Sequence, residues 1–420
     1  MSFKSLLQNC QVIKGGRKYS SYYEGEHRVD AIGVSLPPQV RVLEIVANWP
    51  RLAVDVLVEC LSVDGFTLAE DKTGKVTRSL QRLWAGGDMD SLAAMAHTEA
   101  LIQGRSILVV ERSLQGKVFT RVLPWDACVA YETDSAGRVV EAMIRYRRQG
   151  EQWAQVFGLD GSAWFQFSGG VWREEKAYRQ PSAGITPFIP VINRVRPSDE
   201  VGRSEMDDVI PFADAASRSF TNLQVAQELL SMPQRYILGG NSQKVTRPDG
   251  SQVSELEQYL GRYIHGPADG KVGQLPGADL NPIISAIKMY AQNVSAVAGI
   301  PPSMLGITTD NPSSAEAMRA AKERLVAKAE RKQALFGDVW EQWARIVLGL
   351  GGRPVSGLET LETIWRDSAT PSQAAKNQTV LQAYAQGLVS APTARELLPL
   401  SPEQRAREQV GHLEPDDLYL

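Results

Sequence analysis

Residues 312–350 read PSSAEAMRAAKERLVAKAERKQALFGDVWEQWARIVLGL and predict one long helix around which the chain is organised. Apolar side chains recur there at steps of three or four, the spacing of one buried helical face: Met318, Ala321, Leu325, Ala329, Phe336, Val339, Trp343, Val347 and Leu350. Lys332 interrupts this stripe, and Gly337 weakens the expectation of a straight helix. A helix of this length spans on the order of 55 Å, so a whole domain must pack against it.

Start and stop signals bracket this helix. Ser313 and Glu316 have capping-box spacing, in which the serine accepts from a free backbone N–H and the glutamate reaches back. Gly349, followed by Gly351, Gly352 and Pro354, predicts the end.

A second helix is predicted just upstream, over residues 281–299. Asn281 and Pro282 open it as an N-cap residue and a first-turn proline, and Gly299 closes it. The loop IPPSMLGITTDNP, residues 300–312, joins the two helices. Spacing alone favours an ordinary helical hairpin.

Composition describes a globular protein with more than one core. The chain has 420 residues, of which 43% are hydrophobic and 22% charged. The net charge of −3 excludes an overall basic field for tight DNA binding, so any DNA contact is expected to be local. Cys10, Cys60 and Cys128 are odd in number and far apart, which predicts buried thiols in a reducing cytoplasm. No signal peptide or membrane segment is expected.

Short β-branched and aromatic runs separated by Gly, Asp and Ser turns follow Arg105. They predict a mostly antiparallel sheet with strands at residues 106–110, 118–122, 139–147, 153–157, 164–167 and 188–195. With the helical patterns of the first hundred residues, these strands make an α+β domain.

Two features could be functional or merely structural. The basic, tyrosine-rich segment at residues 17–23 could stack on nucleic-acid bases, although a packed surface arm is favoured. Glu205, Asp207 and Asp208 follow Ser204, and the favoured interpretation places them in the first turn of a helix, where the dipole stabilises acids. The other interpretation is a metal or acid/base cluster.

Motifs for catalysis are missing. The sequence has no G-x-x-x-x-G-K-[ST], G-x-G-x-x-G, G-x-S-x-G or H-E-x-x-H, and its four histidines are too far apart for a local metal motif. We therefore expect no enzymatic activity and no cofactor. The alternative is a soluble α+β metal-dependent hydrolase whose site forms only in the folded chain.

Several short fragments follow one another along the chain. Tyr22-Tyr23-Glu24-Gly25 comes first, then Val46-Ala47-Asn48-Trp49-Pro50-Arg51, then Gly65-Phe66. GIPPSMLG at residues 299–306 and SSAEA at residues 313–317 frame the loop before the long helix. Each fragment is weak alone, but together and in this order they cover nearly the full length and resemble the portal proteins of tailed bacteriophages, of siphophage type.

The resemblance implies a division of the chain, which we state as an expectation. It assigns residues 1–200 to a wing, residues 201–231 and 281–299 to two stem helices, and residues 232–280 to a clip. Residues 300–312 become a tunnel loop, residues 313–367 a spine helix with a return strand of the wing, and residues 368–420 a helical crown.

The resemblance also implies a function. Portal subunits form a closed ring, usually of twelve, at one capsid vertex, and double-stranded DNA passes through its channel during packaging and ejection. Implied partners are the terminase large subunit, head-completion or adaptor proteins, and the major capsid and scaffolding proteins, first in the host cytoplasm and then in the virion. Thr308, Thr309, Asp310 and Asn311 would be the part of the tunnel loop that touches moving DNA without gripping it, although an exposed turn explains them equally well.

Overall fold

A computed structural model describes most of the chain, and the statements below concern the described part. It comprises residues 3–11, 16–28, 45–113, 115–159, 161–178, 184–230, 235–238, 249–251, 271–274, 277, 279–307, 315–352, 357–369 and 373–398. The chain forms two compact units, residues 1–366 and residues 367–420.

The fold is α+β. The first unit contains the helices α1 Phe3–Asn9, α2 Gly16–Glu24, α3 Trp49–Val58, α4 Lys75–Gly86, α5 Met89–Gln103, α6 Ile210–Leu230, α7 Asn281–Ala298 and α8 Ala315–Leu350. Its strands are β1 Val63–Leu68, β2 Arg105–Arg112, β3 Val118–Leu123, β4 Cys128–Thr133, β5 Val139–Arg148, β6 Glu151–Gly158, β7 Gly161–Ser168, β8 Val171–Tyr178, β9 Phe188–Ile192, β10 Arg235–Leu238, β11 Lys271–Gln274 and β12 Leu361–Trp365. The second unit contains α9 Gln373–Ala385 and α10 Ala391–Leu397.

The predicted single sheet is in fact two antiparallel sheets. One has the order β3-β2-β9, and the other is the meander β4-β5-β6-β7-β8. The sequence missed β4 and β8. Strand β8 lies at the edge of its sheet, where charged residues such as Arg173, Glu174 and Glu175 are tolerated and hide the apolar alternation.

The long helix is confirmed as a continuous α8 of 36 residues, Gly337 included. Its predicted stripe is buried at Leu325, Ala329, Phe336, Val339, Trp343, Val347 and Leu350. The predicted cap at Ser313 lies outside the described residues. The helix packs on α5, β2 and β9, and on the two-stranded sheet that β12 forms with β1.

The core centres on aromatic rings from distant parts of the chain. Trp343 stacks on Phe66 of β1 with ring centroids 5.9 Å apart, and Trp84 of α4 meets the edge of Trp343 at 5.3 Å. The main apolar cluster therefore joins α8 to the first hundred residues and explains why the helix organises the fold.

The tyrosine-rich segment is packed into the fold. In α2 the hydroxyl of Tyr19 donates to Asp207 at 2.7 Å, and that of Tyr23 donates to Asp55 at 2.7 Å. Asn48 then donates from its side chain to the backbone oxygen of Tyr23 at 3.2 Å. The first two fragments that carry the resemblance thus meet in space, and the favoured interpretation of a packed arm is confirmed.

Elsewhere, some element boundaries in the structure differ from those expected from the sequence. The sequence pattern at residues 40–57 is helical; its residues 40–44 lie outside the described residues, and α3 begins at Trp49, where Pro50 occupies the first turn and suits a helix start. Strands β10 and β11 pair antiparallel. Residues 254–264 and 401–410, whose sequence patterns are helical, lie outside the described residues. Within the described residues, no helix is long and apolar enough to cross a membrane.

Candidate functional site

The candidate site is the junction where α6, α7, the loop after α7 and α8 meet. Helix α7 begins at Asn281, so Leu280 and not the predicted Asn281 is its N-cap residue. The helix ends at Ala298, and the φ of +76° at Gly299 suits glycine and turns the chain out of the helix. Pro302–Leu305 form a short 3-10 turn, and α8 begins at Ala315. The two helices on either side of the predicted tunnel loop are therefore both in place.

The start of this loop is fixed in the protein interior. Ile300 is 2% exposed and packs in an apolar cluster with Ala53, Val209, Val294 and Ala298. Ser295 donates through its hydroxyl to the backbone oxygen of Ile300 at 2.6 Å. Burial and this hydrogen bond together hold the loop at a defined position relative to α3 and α6.

A charged network links the loop to α8. Glu205, in the turn before α6, accepts from Lys328 at 2.7 Å and from Lys332 at 2.6 Å. Lys328 also donates to the carbonyl of Ala298, the last residue of α7, at 3.3 Å. Lys332 donates to the side-chain oxygen of Asn193 at 2.5 Å. We call Asn193, Glu205, Lys328, Lys332 and the Ala298 carbonyl the loop anchor.

Electrostatics fix the charge state of this network. Burial alone would raise the pKa of Glu205, but the two ammonium groups outweigh it and lower that pKa to about 2. Asn193 adds a further donor, its side-chain amide lying 2.9 Å from Glu205. The carboxylate therefore stays ionised and fully engaged.

The favoured interpretation of the acidic cluster was wrong. Helix α6 begins at Ile210, so Glu205, Asp207 and Asp208 precede its first turn. Asp207 and Asp208 instead pair with Arg203, at 3.5 and 2.5 Å. Because Glu205 is occupied by lysines, the three acids do not converge on one point.

The carboxylates of this cluster already form ion pairs with lysine and arginine side chains, so the structure does not support a metal site there. Among the residues that the structure describes, no three His, Cys, Asp or Glu side chains are close enough to hold a metal ion. The described His27 and His97 lie in separate places, and His97 is buried against Phe336 and Trp340 of α8.

A cleft of about 680 Å³ lies beside the loop anchor, between the turn before α6, the end of α7 and α8. Its walls carry Arg194, Arg324 and Arg331, which are exposed. None of these three has a carboxylate partner in the described part of the chain. The aliphatic part of Arg324 lies over Gly299, so positive charge borders the start of the loop.

Sequence reasoning located this region but missed its chemistry. Thr308, Thr309, Asp310 and Asn311 lie outside the described residues, so their role stays a prediction. The loop anchor was not foreseen. Its signal was Lys332, a lysine inside an apolar stripe, which requires a buried carboxylate partner. The partner, Glu205, was already singled out for another reason.

The structure has an α+β base followed by a helix, a loop and a long core helix, the arrangement expected from the resemblance to phage portal proteins. Residues 15–409 match the family described as "Phage portal protein, SPP1 Gp6-like". The chain therefore belongs to the SPP1 Gp6-like phage portal protein family, which consists of structural proteins of the phage head.

Two mycobacteriophage portal proteins agree with this assignment. The portal protein of Mycobacterium phage D29 is 32% identical over 415 residues, covering 94% of this chain and 82% of the relative. That of Mycobacterium phage L5 is 31% identical, with 95% and 84% covered. A chain from the neck of a native GTA (gene transfer agent) particle, computed with C12 symmetry, has a TM-score of 0.49 at 15% identity, covering 93% of this chain and 95% of that one.

Proposed function

We propose that this chain is one subunit of a closed portal ring at a single capsid vertex, through whose channel DNA is packaged and ejected. Family membership supports the ring, and the loop anchor supports the channel. A loop that meets moving DNA must be held firmly at its ends, and Lys328 joins α8 to the last carbonyl of α7, next to the start of the loop.

In this proposal α6 and α7 are the stem helices, residues 232–280 the clip, and α8 with β12 the spine and return strand of the wing. Residues 368–420 form the crown. The clip receives the terminase large subunit during packaging and head-completion or adaptor proteins afterwards, while the wing contacts the major capsid and scaffolding proteins. The subunit assembles in the host cytoplasm and remains in the virion.

The loop residues Thr308, Thr309, Asp310 and Asn311 are proposed to contact the DNA backbone without sequence preference. The nearby guanidinium groups of Arg324 and Arg331 support phosphate as the neighbouring chemistry, because unpaired arginines attract it. The small net charge of −3 fits a contact that lets DNA slide.

Native mass and particle images of the purified protein test the ring. Twelve chains of 46.1 kDa weigh about 550 kDa, and annular particles near that mass are expected. The subunit should be tested alone and with its scaffolding and capsid proteins. A chain that remains monomeric in both mixtures contradicts the proposal.

Deleting residues 308–311 tests the loop separately from the ring. Rings of unchanged mass are expected, with a loss of packaged or retained DNA. A matched variant replaces the same four residues with Gly-Ser-Gly-Ser and keeps the loop length. It distinguishes an effect of loop length from an effect of side-chain chemistry. If the deletion variant packages and retains DNA normally, the loop has no role in DNA packaging or retention.

A further inference from the structure

Two of the three cysteines, distant in sequence, lie side by side in the fold. The Sγ atoms of Cys10 and Cys128 are 3.2 Å apart, and both residues are free thiols. Cys10 follows α1, and Cys128 is the first residue of β4. The sequence predicted separate buried thiols, so this pairing is a property of the folded chain.

The surrounding backbone holds the pair together. Gln11 and Val129, the residues that follow the two cysteines, exchange both backbone hydrogen bonds, at 2.9 and 3.0 Å. Cys10 also packs in an apolar cluster with Leu6, Ala130 and Met143, so α1 is seated on the five-stranded sheet. The thiols therefore meet in the native state without a rearrangement of the strands.

We propose that Cys10 and Cys128 are the site of a reversible intramolecular disulfide, formed with a small-molecule disulfide such as oxidised glutathione as the oxidant. The sulfur atoms need to approach by about 1.1 Å to reach bonding distance. The bond ties the N-terminal helix α1 covalently to the five-stranded sheet.

The exchange proceeds in two steps. Cys128, the more exposed of the two, attacks one sulfur of oxidised glutathione as a thiolate, forms a mixed disulfide and releases one glutathione. The Cys10 thiol then loses its proton and attacks Cys128 Sγ, which releases the second glutathione. Two protein thiols and one glutathione disulfide become one protein disulfide and two glutathione thiols. Burial raises the pKa of Cys10, so the second step is expected to be the slow one.

Cys60 is the internal control. It lies two residues after the end of α3, is half-buried, and its thiol donates to the carbonyl of Val56 at 3.5 Å. In the described structure neither of the other cysteines contacts it. Oxidation should therefore spare Cys60 while it consumes the other two thiols.

Alkylation with N-ethylmaleimide after denaturation tests the proposal on the purified full-length chain. The reduced protein should take up three labels and the glutathione-oxidised protein one, on Cys60, with a peptide that joins Cys10 to Cys128. Reducing agent should restore all three sites.

Two variants keep the test decisive. Cys60→Ser should form the same disulfide and take up no label after oxidation. Cys10→Ser should form no internal disulfide and instead retain glutathione on Cys128. Three labels on the oxidised wild-type chain, or disulfides that join separate chains through Cys60, would overturn the proposal.

Discussion

The two halves of α8 are held in place by different forces. From Lys322 to Ala334 the helix is partly exposed, and Lys328 and Lys332 pair with Glu205. The buried Gln333 of this half donates to the backbone oxygens of Cys60 and Arg366. From Leu335 onwards it is buried on almost every side, with Phe336, Trp340 and Trp343 at 1% exposure or less.

The two halves of α8 therefore contribute differently: one mainly stabilises the fold, and the other mainly fixes the position of the loop. Apolar burial is strong but has no direction, so the second half supplies much of the core energy and tolerates small shifts. Hydrogen-bonded charges contribute little net energy but demand one geometry. The charged half lies next to the loop, where position matters most for the proposed channel.

The largest effect is expected from Trp343→Ala in the apolar half. Trp343 is 1% exposed, stacks on Phe66 and donates to the hydroxyl of Thr120 at 2.9 Å. Its removal leaves a large cavity and should lower the free energy of unfolding by about 4 kcal/mol. Denaturation followed by circular dichroism measures this.

Asp338→Ala, an exposed position on the same helix, is the matched control. It should stay within about 0.5 kcal/mol of the wild type. If the two variants lose similar amounts, the apolar half does not dominate stability.

The next effect is expected from Glu205→Gln in the charged half. Removing the carboxylate leaves Lys332, 5% exposed, without its counter-charge and should cost about 3 kcal/mol. The double variant Glu205→Leu with Lys332→Met removes both charges and should recover most of that loss. Denaturation of wild type, single and double variants measures the recovery.

Hydrogen exchange distinguishes energy from position in the same variants. The double variant still lacks the bond from Lys328 to Glu205, so exchange at residues 300–307 should remain faster than in the wild type. A double variant as unstable as Glu205→Gln, or one with wild-type exchange there, would argue against a positioning role for the loop anchor.

The same division explains what the sequence could reveal. The long helix and α7 were predictable because apolar periodicity and the glycine that closes α7, Gly299, are local properties. The start of α6 was predicted too early, because the helix begins at Ile210. The partner of Lys332 was not, because Glu205 lies more than a hundred residues away and only tertiary packing brings it near. The split into two sheets was also missed, since strand patterns do not specify which strands pair.

A smaller effect is expected from pH. It acts on the apolar half of α8, which contacts the buried His97, rather than on the charged half. His97 accepts from Trp340 at 2.9 Å, and burial lowers its pKa to about 4. The unfolded chain binds this proton near pH 6.5, so stability is lost as pH falls below that value. The loss should reach about 2 kcal/mol at pH 5.

The difference in unfolding free energy between wild type and His97→Gln, measured from pH 7.5 to 5, isolates this contribution. Burial raises the pKa of Glu99 to about 7, which acts in the opposite direction, but Glu99 is present in both proteins and cancels. The corresponding difference for Glu205→Gln should stay flat above about pH 5, because its pKa falls from about 4.5 unfolded to about 2 folded. A flat His97 difference would contradict the buried neutral imidazole.

The smallest effect concerns Gly337, which lies near the boundary between the halves. A helical glycine costs conformational entropy, and a Cβ there would meet Trp365 Nε1 at 3.6 Å and Glu341 at 3.9 Å, ordinary contact distances. Gly337→Ala should therefore stabilise the protein by about 0.5–1 kcal/mol. Gly352→Ala, just after the helix, should destabilise it, because its φ of +79° disfavours a side chain. Thermal unfolding compares the two. If Gly337→Ala is also destabilising, β12 requires the closer approach that only glycine allows, and the boundary is a packing contact between α8 and the return strand.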